Sequence, residues 1–203
     1  MSDIAVAKEP VKEKDHRCRI IATAERLFRQ IGFQKTTVSD IARELRMSPA
    51  NVYRFFATKA EINEAVARQL IGEVETAAEK IAAGSGTAAE RLRKVIKSNE
   101  SMSAERYISD RKLHDMVDVA LTEQWPIVDA HIDRMGEILT QIVAEGVAAG
   151  EFAPGDPQLL AGLMQTACIR YCHPRLMVEC GEDADPNSDQ MIDFCLAALK
   201  AGM

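Results

Sequence analysis

The sequence has no run of about eighteen apolar residues, which excludes a membrane-spanning helix on length alone. Its start lacks the apolar core of an export signal. Only Ile4 to Ala7 is continuously apolar, with acidic Asp3 before it, so the chain is expected to be cytoplasmic. The five cysteines are an odd number and accompany no export signal. They give no basis for a disulfide framework and are expected to be reduced, buried thiols. No segment alternates apolar and polar residues between turn dipeptides, so strands are not expected. Internal repeats and long low-complexity tracts are missing as well. So are the common catalytic signatures: there are no paired Glu-x-x-His motifs, no glycine-rich phosphate loop followed by lysine, and no Gly-x-Ser-x-Gly. An enzyme is therefore not expected, and no cofactor is called for.

What is present is an ordinary globular composition over 203 residues, 47% hydrophobic and 28% charged, enough for a small domain joined to a larger one. The net charge of −6 conceals a division. Residues 1–70 hold thirteen Lys and Arg against nine acids, a net of +4, which leaves −10 for the remainder. A basic head on an acidic body points to a polyanionic partner for the head alone.

Residues 1–16 are polar, with Pro10 and alternating charges, and read as a flexible tail. From Arg17 onward, Ile20, Ala24, Leu27, Phe28 and Ile31 recur at helical spacing until Gly32 ends the helix. Thr37-Val-Ser-Asp40 has capping-box spacing and opens a second helix lined by Val38, Ile41, Ala42 and Leu45. Arg46, Met47 and Ser48 form a tight connection. Ser48 then caps a short third helix that has Pro49 at its first position and buries Val52 and Phe56. A fourth helix runs from Lys59 to about Ile81 and breaks at Gly84-Ser-Gly86. Further helices are expected over Ala88 to Ser103, Ala104 to Thr122, Pro126 to Ala149, Pro157 to Tyr171 and Ser188 to Ala201. The fold class is all-α.

Two short helices joined by a three-residue turn and braced by another helix constitute a helix-turn-helix, here between about Val38 and Phe56. Its second helix is the one that enters the major groove of DNA, and its outward face carries Pro49, Ala50, Asn51, Tyr53 and Arg54, with Ser48 at the cap. Asn51 and Arg54 offer paired hydrogen bonds to adenine and guanine edges. The Tyr53 hydroxyl, Lys59 and the start of helix two at Thr37 are suited to phosphates. The same unit can serve as a protein-interaction module without DNA, in which case affinity would ignore salt.

The stretches Gly32-Phe-Gln-Lys-Thr-Thr-Val-Ser-Asp-Ile-Ala and Met47-Ser-Pro-Ala-Asn-Val-Tyr-Arg-Phe-Phe-Ala-Thr-Lys59 closely resemble the DNA-binding head of the TetR family of bacterial regulators. The resemblance covers about Arg17 to Leu70. Further on, Glu145-Gly-Val-Ala-Ala-Gly-Glu-Phe152 looks like the end of a long helix common in that family. The resemblance implies phosphate contacts at Thr37, Tyr53 and Lys59, and base contacts along Pro49 to Arg54. It implies a head over residues 17–58 and a ligand-binding and dimerisation body over residues 59–203. It also implies a homodimer on an inverted-repeat operator of double-stranded DNA, released by a small-molecule effector, with repression the commoner role. One departure concerns Phe55, where the family usually has a histidine or tyrosine that reaches a phosphate; phenylalanine cannot donate that bond. Lys12, Lys14, Arg17 and Arg19 are either a compensating basic arm or solvated charges.

The body offers candidates on the same terms. Leu160, Leu163, Met164, Ala167 and Tyr171 form one apolar stripe, and Ile192, Cys195, Leu196 and Leu199 form another; they are the expected dimer interface or else monomer core. Met102, Tyr107, Trp125, His131, Met135 and Met164 are large, adaptable groups suited to an effector pocket. Cys168, Cys172 and His173, with Cys180 nearby, are buried thiols by default and a metal- or thiol-sensing site as the alternative. Asp110, His114 and Asp118 share a helix face, either as a solvated polar row or as ligands for a divalent metal.

Overall fold

The computed structural model of the chain describes residues 11–108, 111–180 and 186–202, with the side chains of residues 11, 12, 107, 108, 111 and 180 outside the description. The regular structure of the described residues is helical, without strands, and the chain divides into two compact units, residues 1–68 and 69–203. None of their helices is long and apolar enough to cross a membrane.

In the first unit, α1 spans Val11–Ile31, α2 Val38–Glu44 and α3 Pro49–Tyr53, and α4 (Lys59–Ala82) begins there. Helix α1 starts six residues before the expected Arg17, because Lys and Glu favour helix and no breaker follows Pro10. The rest of the expected tail lies outside the described residues. Gly32 ends α1 with φ +90°, a conformation that costs glycine little. Ile20, Ala24, Phe28, Ile41, Val52, Phe56, Ile62 and Val66 are buried. The rings of Phe28 and Phe33 meet edge to face at 6.3 Å. Arg26 reaches Glu44 at 2.6 Å and ties α1 to α2 at the surface.

The second unit contains the rest of α4, then α5 (Ala88–Ser103), a π-helical turn (Ala104–Ile108), α6 (Arg111–Thr122), α7 (Pro126–Ala148), α8 (Pro157–Cys172), α9 (Pro174–Cys180) and α10 (Ser188–Ala201). Two elements differ from expectation. The helix expected to start at Ala104 opens with the π turn, a geometry that composition does not announce. No helix is expected between Tyr171 and Ser188, yet Pro174 begins α9, since proline fits a first helical turn as readily as it ends a preceding helix.

Helix α7 lies against α5 and α8, and α8 against α10. Between them Leu92, Val95, Ile142, Val143 and Ile192 are fully enclosed. Gly146 allows the end of α7 to close on its neighbours: a Cβ there would stand 2.4 Å from the Phe152 ring and 2.8 Å from Ala88. The chain then turns back, with Glu151 and Phe152 both donating backbone N–H to the Gly146 carbonyl. The Glu151 carboxylate accepts the N–H groups of Ala88 and Ala89 at 2.7 and 2.9 Å, satisfying the first turn of α5. Thus the Glu145–Phe152 stretch joins the end of α7 to the start of α5.

Candidate nucleic-acid interface

Side-chain caps fix the starts of both α2 and α3. Thr37 accepts the Asp40 N–H at 3.1 Å, and Asp40 in return accepts the Thr37 N–H at 3.0 Å. The Asp40 carboxylate also takes the Thr37 hydroxyl proton at 2.6 Å. These hydrogen bonds from the Thr37 side chain and backbone, with Arg43 beside them, hold the Asp40 carboxyl below its ordinary range. The Thr37 hydroxyl thus makes the cap that its spacing announced, at the start of α2. Ser48 caps α3 by accepting the Asn51 N–H at 3.2 Å, and Arg46 makes the sharp bend with φ +54°.

With Val52 buried beneath it, α3 presents Ser48, Pro49, Ala50, Tyr53 and Arg54 to solvent, and Asn51 is half-buried. Arg54 lies one turn beyond Asn51, 3.5 Å from its Oδ1, so the two base-reading candidates share a face. Thr58 and Glu61 cap α4: the Thr58 hydroxyl accepts the Glu61 N–H, and the Glu61 carboxylate accepts the Ala57 N–H at 2.8 Å. Lys59 sits at that helix start and donates to the Gln34 carbonyl at 3.0 Å. Partial burial lowers the Lys59 pKa. One arrangement escaped sequence reasoning. Arg17 donates to the Phe55 carbonyl and lies over the Phe56 ring at 4.2 Å, binding α1 to the segment after α3. No local pattern announces a contact across 38 residues.

In the second unit the candidates separate. Met135 and Met164 are buried in one core, with Met102 packed against it. His131 instead pairs with Glu75 at 2.9 Å, and the Trp125 indole N–H donates to Glu123 at 2.9 Å. The Tyr107 side chain lies outside the described residues. Met116, Leu113 and Ile127 are buried too, a contribution from α6 and α7 that sequence analysis did not single out.

The two apolar stripes of α8 and α10 are largely used within the protomer. Leu160, Met164, Tyr171, Ile192, Cys195, Leu196 and Leu199 are buried in its own core, Ala167 is half-buried, and Leu163 is 47% exposed. The large apolar side chains left outward on these helices are Leu159, Leu163 and Ile169 on α8 and Phe194 on α10, 53%, 47%, 37% and 70% exposed. Periodicity locates an apolar stripe but does not say which of two neighbours covers it.

Among the described residues no group of three His, Cys, Asp or Glu is placed to hold a metal. Cys172 donates its thiol to the Ile96 carbonyl at 3.9 Å, and burial pushes its pKa up to about 12. The Cys168 thiol is raised by its hydrogen bond with Cys195 and by burial. Burial thus disfavours the thiolate at Cys168 and Cys172, the form that binds metals or reacts with oxidants, while the hydrogen bond from Cys168 lowers the pKa of Cys195. His173 is at the C-cap of α8, its pKa lowered by burial and by Arg175. The Cys180 side chain and Asp110 lie outside the described residues. His114 is half-buried, and Asp118 pairs with Arg175 at 3.6 Å. Cys18 is exposed on α1, unlike the buried thiols expected.

Comparison with known proteins agrees with this geometry. Residues 20–66 match the family model for bacterial regulatory proteins of the tetR family, and residues 88–191 match a tetracyclin repressor-like C-terminal domain. The HTH-type transcriptional regulator HbdR of Aromatoleum sp. (strain CIB) is 34% identical over 58 residues, which span 29% of this chain and 25% of that protein. Among solved structures, a TetR/AcrR-family regulator from Thermobifida fusca YX-ER1 superposes with a TM-score of 0.68 at 22% identity, covering 93% of this chain and 98% of its own. FadR from Bacillus subtilis, solved with stearoyl-CoA, gives 0.66 at 21% identity over 89% and 97% of the two chains. SmeT, repressor of the Stenotrophomonas maltophilia efflux pump SmeDEF, gives 0.66 at 18% over 89% and 88%. With one family model covering the helix-turn-helix and the other more than half of the chain, the protein belongs to the TetR family of bacterial transcriptional regulators.

Proposed function

We propose that this protein is a sequence-specific DNA-binding repressor that acts in the cytoplasm as a homodimer and is released from an inverted-repeat operator by a small-molecule effector. The observation that carries the reading is the capped, five-residue α3, whose outward face is Ser48, Pro49, Ala50, Asn51, Tyr53 and Arg54 while Val52 anchors it. A major-groove helix is read through such a short exposed row. Asn51 and Arg54 read bases, and Tyr53, Lys59 and the capped start of α2 at Thr37 hold phosphates.

Dimerisation is supported by the outward Leu159, Leu163 and Phe194, large apolar groups that a lone protomer leaves in water. An isologous contact through these two helices would place two heads on a twofold axis and thus require a palindromic site. Effector binding is assigned to the second unit, near the methionines Met102, Met116, Met135 and Met164, whose flexible side chains reshape readily. Repression and ligand response are supported by the solved relatives SmeT, described as a repressor, and FadR, solved with a ligand.

Selection from a pool of random duplexes tests the reading. Enrichment of one inverted repeat, with half-sites about one helical turn apart, is expected. A pool that stays random after selection would overturn sequence-specific recognition.

A further inference from the structure

Helices α8 and α10 pack together, and hydrogen bonds at both ends fix their antiparallel pairing. The Tyr171 hydroxyl, in the last turn of α8, donates to the Pro186 carbonyl just before α10 at 2.5 Å. At the far end the Ala153 N–H, just before α8, donates to the Leu199 carbonyl in the last turn of α10 at 2.9 Å. Between these bonds lies an apolar seam that includes Leu160, Met164, Ile192 and Leu196. Two thiols are set into it, Cys168 on α8, 1% exposed, and Cys195 on α10, 8% exposed. They touch: Cys168 donates a hydrogen bond to the Cys195 sulfur.

Buried thiols are ordinarily inert, but this pair differs in three respects. Each sulfur lies within hydrogen-bond reach of the other, so a short closing movement brings them to the roughly 2.05 Å of a disulfide. The bond from Cys168 favours the thiolate at Cys195 against burial, and Cys195 is the less enclosed of the two. Cys168 is held protonated by that same bond and by burial, as suits the sulfur that reacts second. The neighbouring thiol is directed elsewhere, since Cys172 donates to the Ile96 carbonyl on α5. Nor does the pair belong to a metal site, for among the described residues no three His, Cys, Asp or Glu are placed to hold an ion. Two thiols in contact without a metal suit dithiol–disulfide chemistry.

We propose that Cys168 and Cys195 form a redox-active dithiol, which a small hydroperoxide converts into a disulfide joining α8 to α10 within one protomer. The Cys195 thiolate attacks one peroxide oxygen and breaks the O–O bond. The departing hydroxide takes up a proton as water, leaving Cys195 as its sulfenic acid. The Cys168 sulfur then attacks the Cys195 sulfur, and the displaced hydroxide leaves as water with the Cys168 proton. Two thiols are oxidised by two electrons, and one hydrogen peroxide is reduced to two waters. Each cysteine is next in sequence to an outward apolar side chain, Cys168 to Ile169 and Cys195 to Phe194, so oxidation fixes the helix pair that carries that face. The chemistry does not depend on the DNA-binding reading.

The test treats the full-length protein carrying Cys18→Ser with hydrogen peroxide near pH 7.5, about one unit below the ordinary thiol pKa. This substitution removes the exposed thiol of α1 and leaves four of the five cysteines; oxidation of Cys18 in the wild-type chain is the positive control. Thiols are counted after denaturation, and tryptic peptides are weighed. The count is expected to fall from four to two per chain, and dithiothreitol should restore it. Peptide 135–170 should appear joined to peptide 176–200, two hydrogens lighter than their sum. Cys180 lies on the second peptide, so Cys180→Ser is run in parallel and should keep the link. Cys168→Ala and Cys195→Ala should each abolish it, with circular dichroism to verify folding. Should either not fold, the Cys180→Ser chain decides, because Cys168 and Cys195 are then the sole cysteines of the two peptides. A link through Cys172 or Cys180, oxidation of Cys195 alone to its sulfinic acid, or survival of all four thiols would each overturn the proposal.

Discussion

Lys59, at the first residue of α4, donates its ammonium to the carbonyl of Gln34, 25 residues earlier, at 3.0 Å. The bond fixes a cation where the α1–α2 loop meets a helix start, and partial burial lowers its pKa from the ordinary 10.5. A charge held in place and partly stripped of water is suited to a phosphate. Lys59→Ala should weaken binding to operator and random duplexes alike and make the salt slope shallower by about one unit. Anisotropy over a salt series measures both. A loss of affinity with unchanged slope would assign Lys59 to bracing the loop alone.

Arg54 should behave differently, since it shares an outward face with Asn51 and does not clamp the fold. Arg54→Ala is expected to lose about 1–3 kcal/mol of discrimination at one base pair per half-site, with a smaller change on random DNA. A second duplex selection with the variant reads this directly. An unchanged consensus would remove Arg54 from base recognition.

The division of α8 and α10 into buried and outward rows separates stability from association. Leu163→Glu combined with Phe194→Glu should yield a folded monomer by sedimentation, with much weaker operator binding. Met164→Ala, at a site 2% exposed, should instead cost about 2–5 kcal/mol in chemical denaturation. A double variant that remains dimeric would place the interface elsewhere.

Much of the fold was legible in the sequence where a local chemical rule governs it. Gly32, Thr37 with Asp40, and Ser48 with Pro49 announce their helix ends because caps involve residues at most three or four apart. The outward row of α3 follows for the same reason. What depends on distant partners was not legible. Tyr171 and Cys195 have the spacing of an interface stripe, yet their own protomer buries them. Arg17 looks like a solvated charge until the fold brings the Phe55 carbonyl and the Phe56 ring beside it. His131 looks like a pocket group by type but finds Glu75, 56 residues earlier.

Glu151 gives a prediction about acid. Burial raises its pKa, but the Ala89 and Ala88 N–H groups outweigh burial and hold it below the ordinary 4.5. A carboxyl lowered by folding stabilises the fold above its unfolded pKa and loses that contribution as pH falls through the folded value. Glu151→Ala should therefore cost about 1 kcal/mol near neutral pH, as loss of a helix cap does. The gap to wild type should narrow below pH 4.5. Denaturant melts at several pH values measure the gap; a constant difference down to strong acid would show that the carboxylate charge does not matter.

The most direct test of DNA recognition is fluorescence anisotropy with duplexes from the regions flanking the protein's own gene, beside random duplexes of equal length, at several salt concentrations. Tight binding to one flanking fragment by two protomers, falling steeply with salt, is the expected result. Affinity that ignores salt, or no binding to any duplex, would contradict it and leave the helix-turn-helix as a surface for another protein.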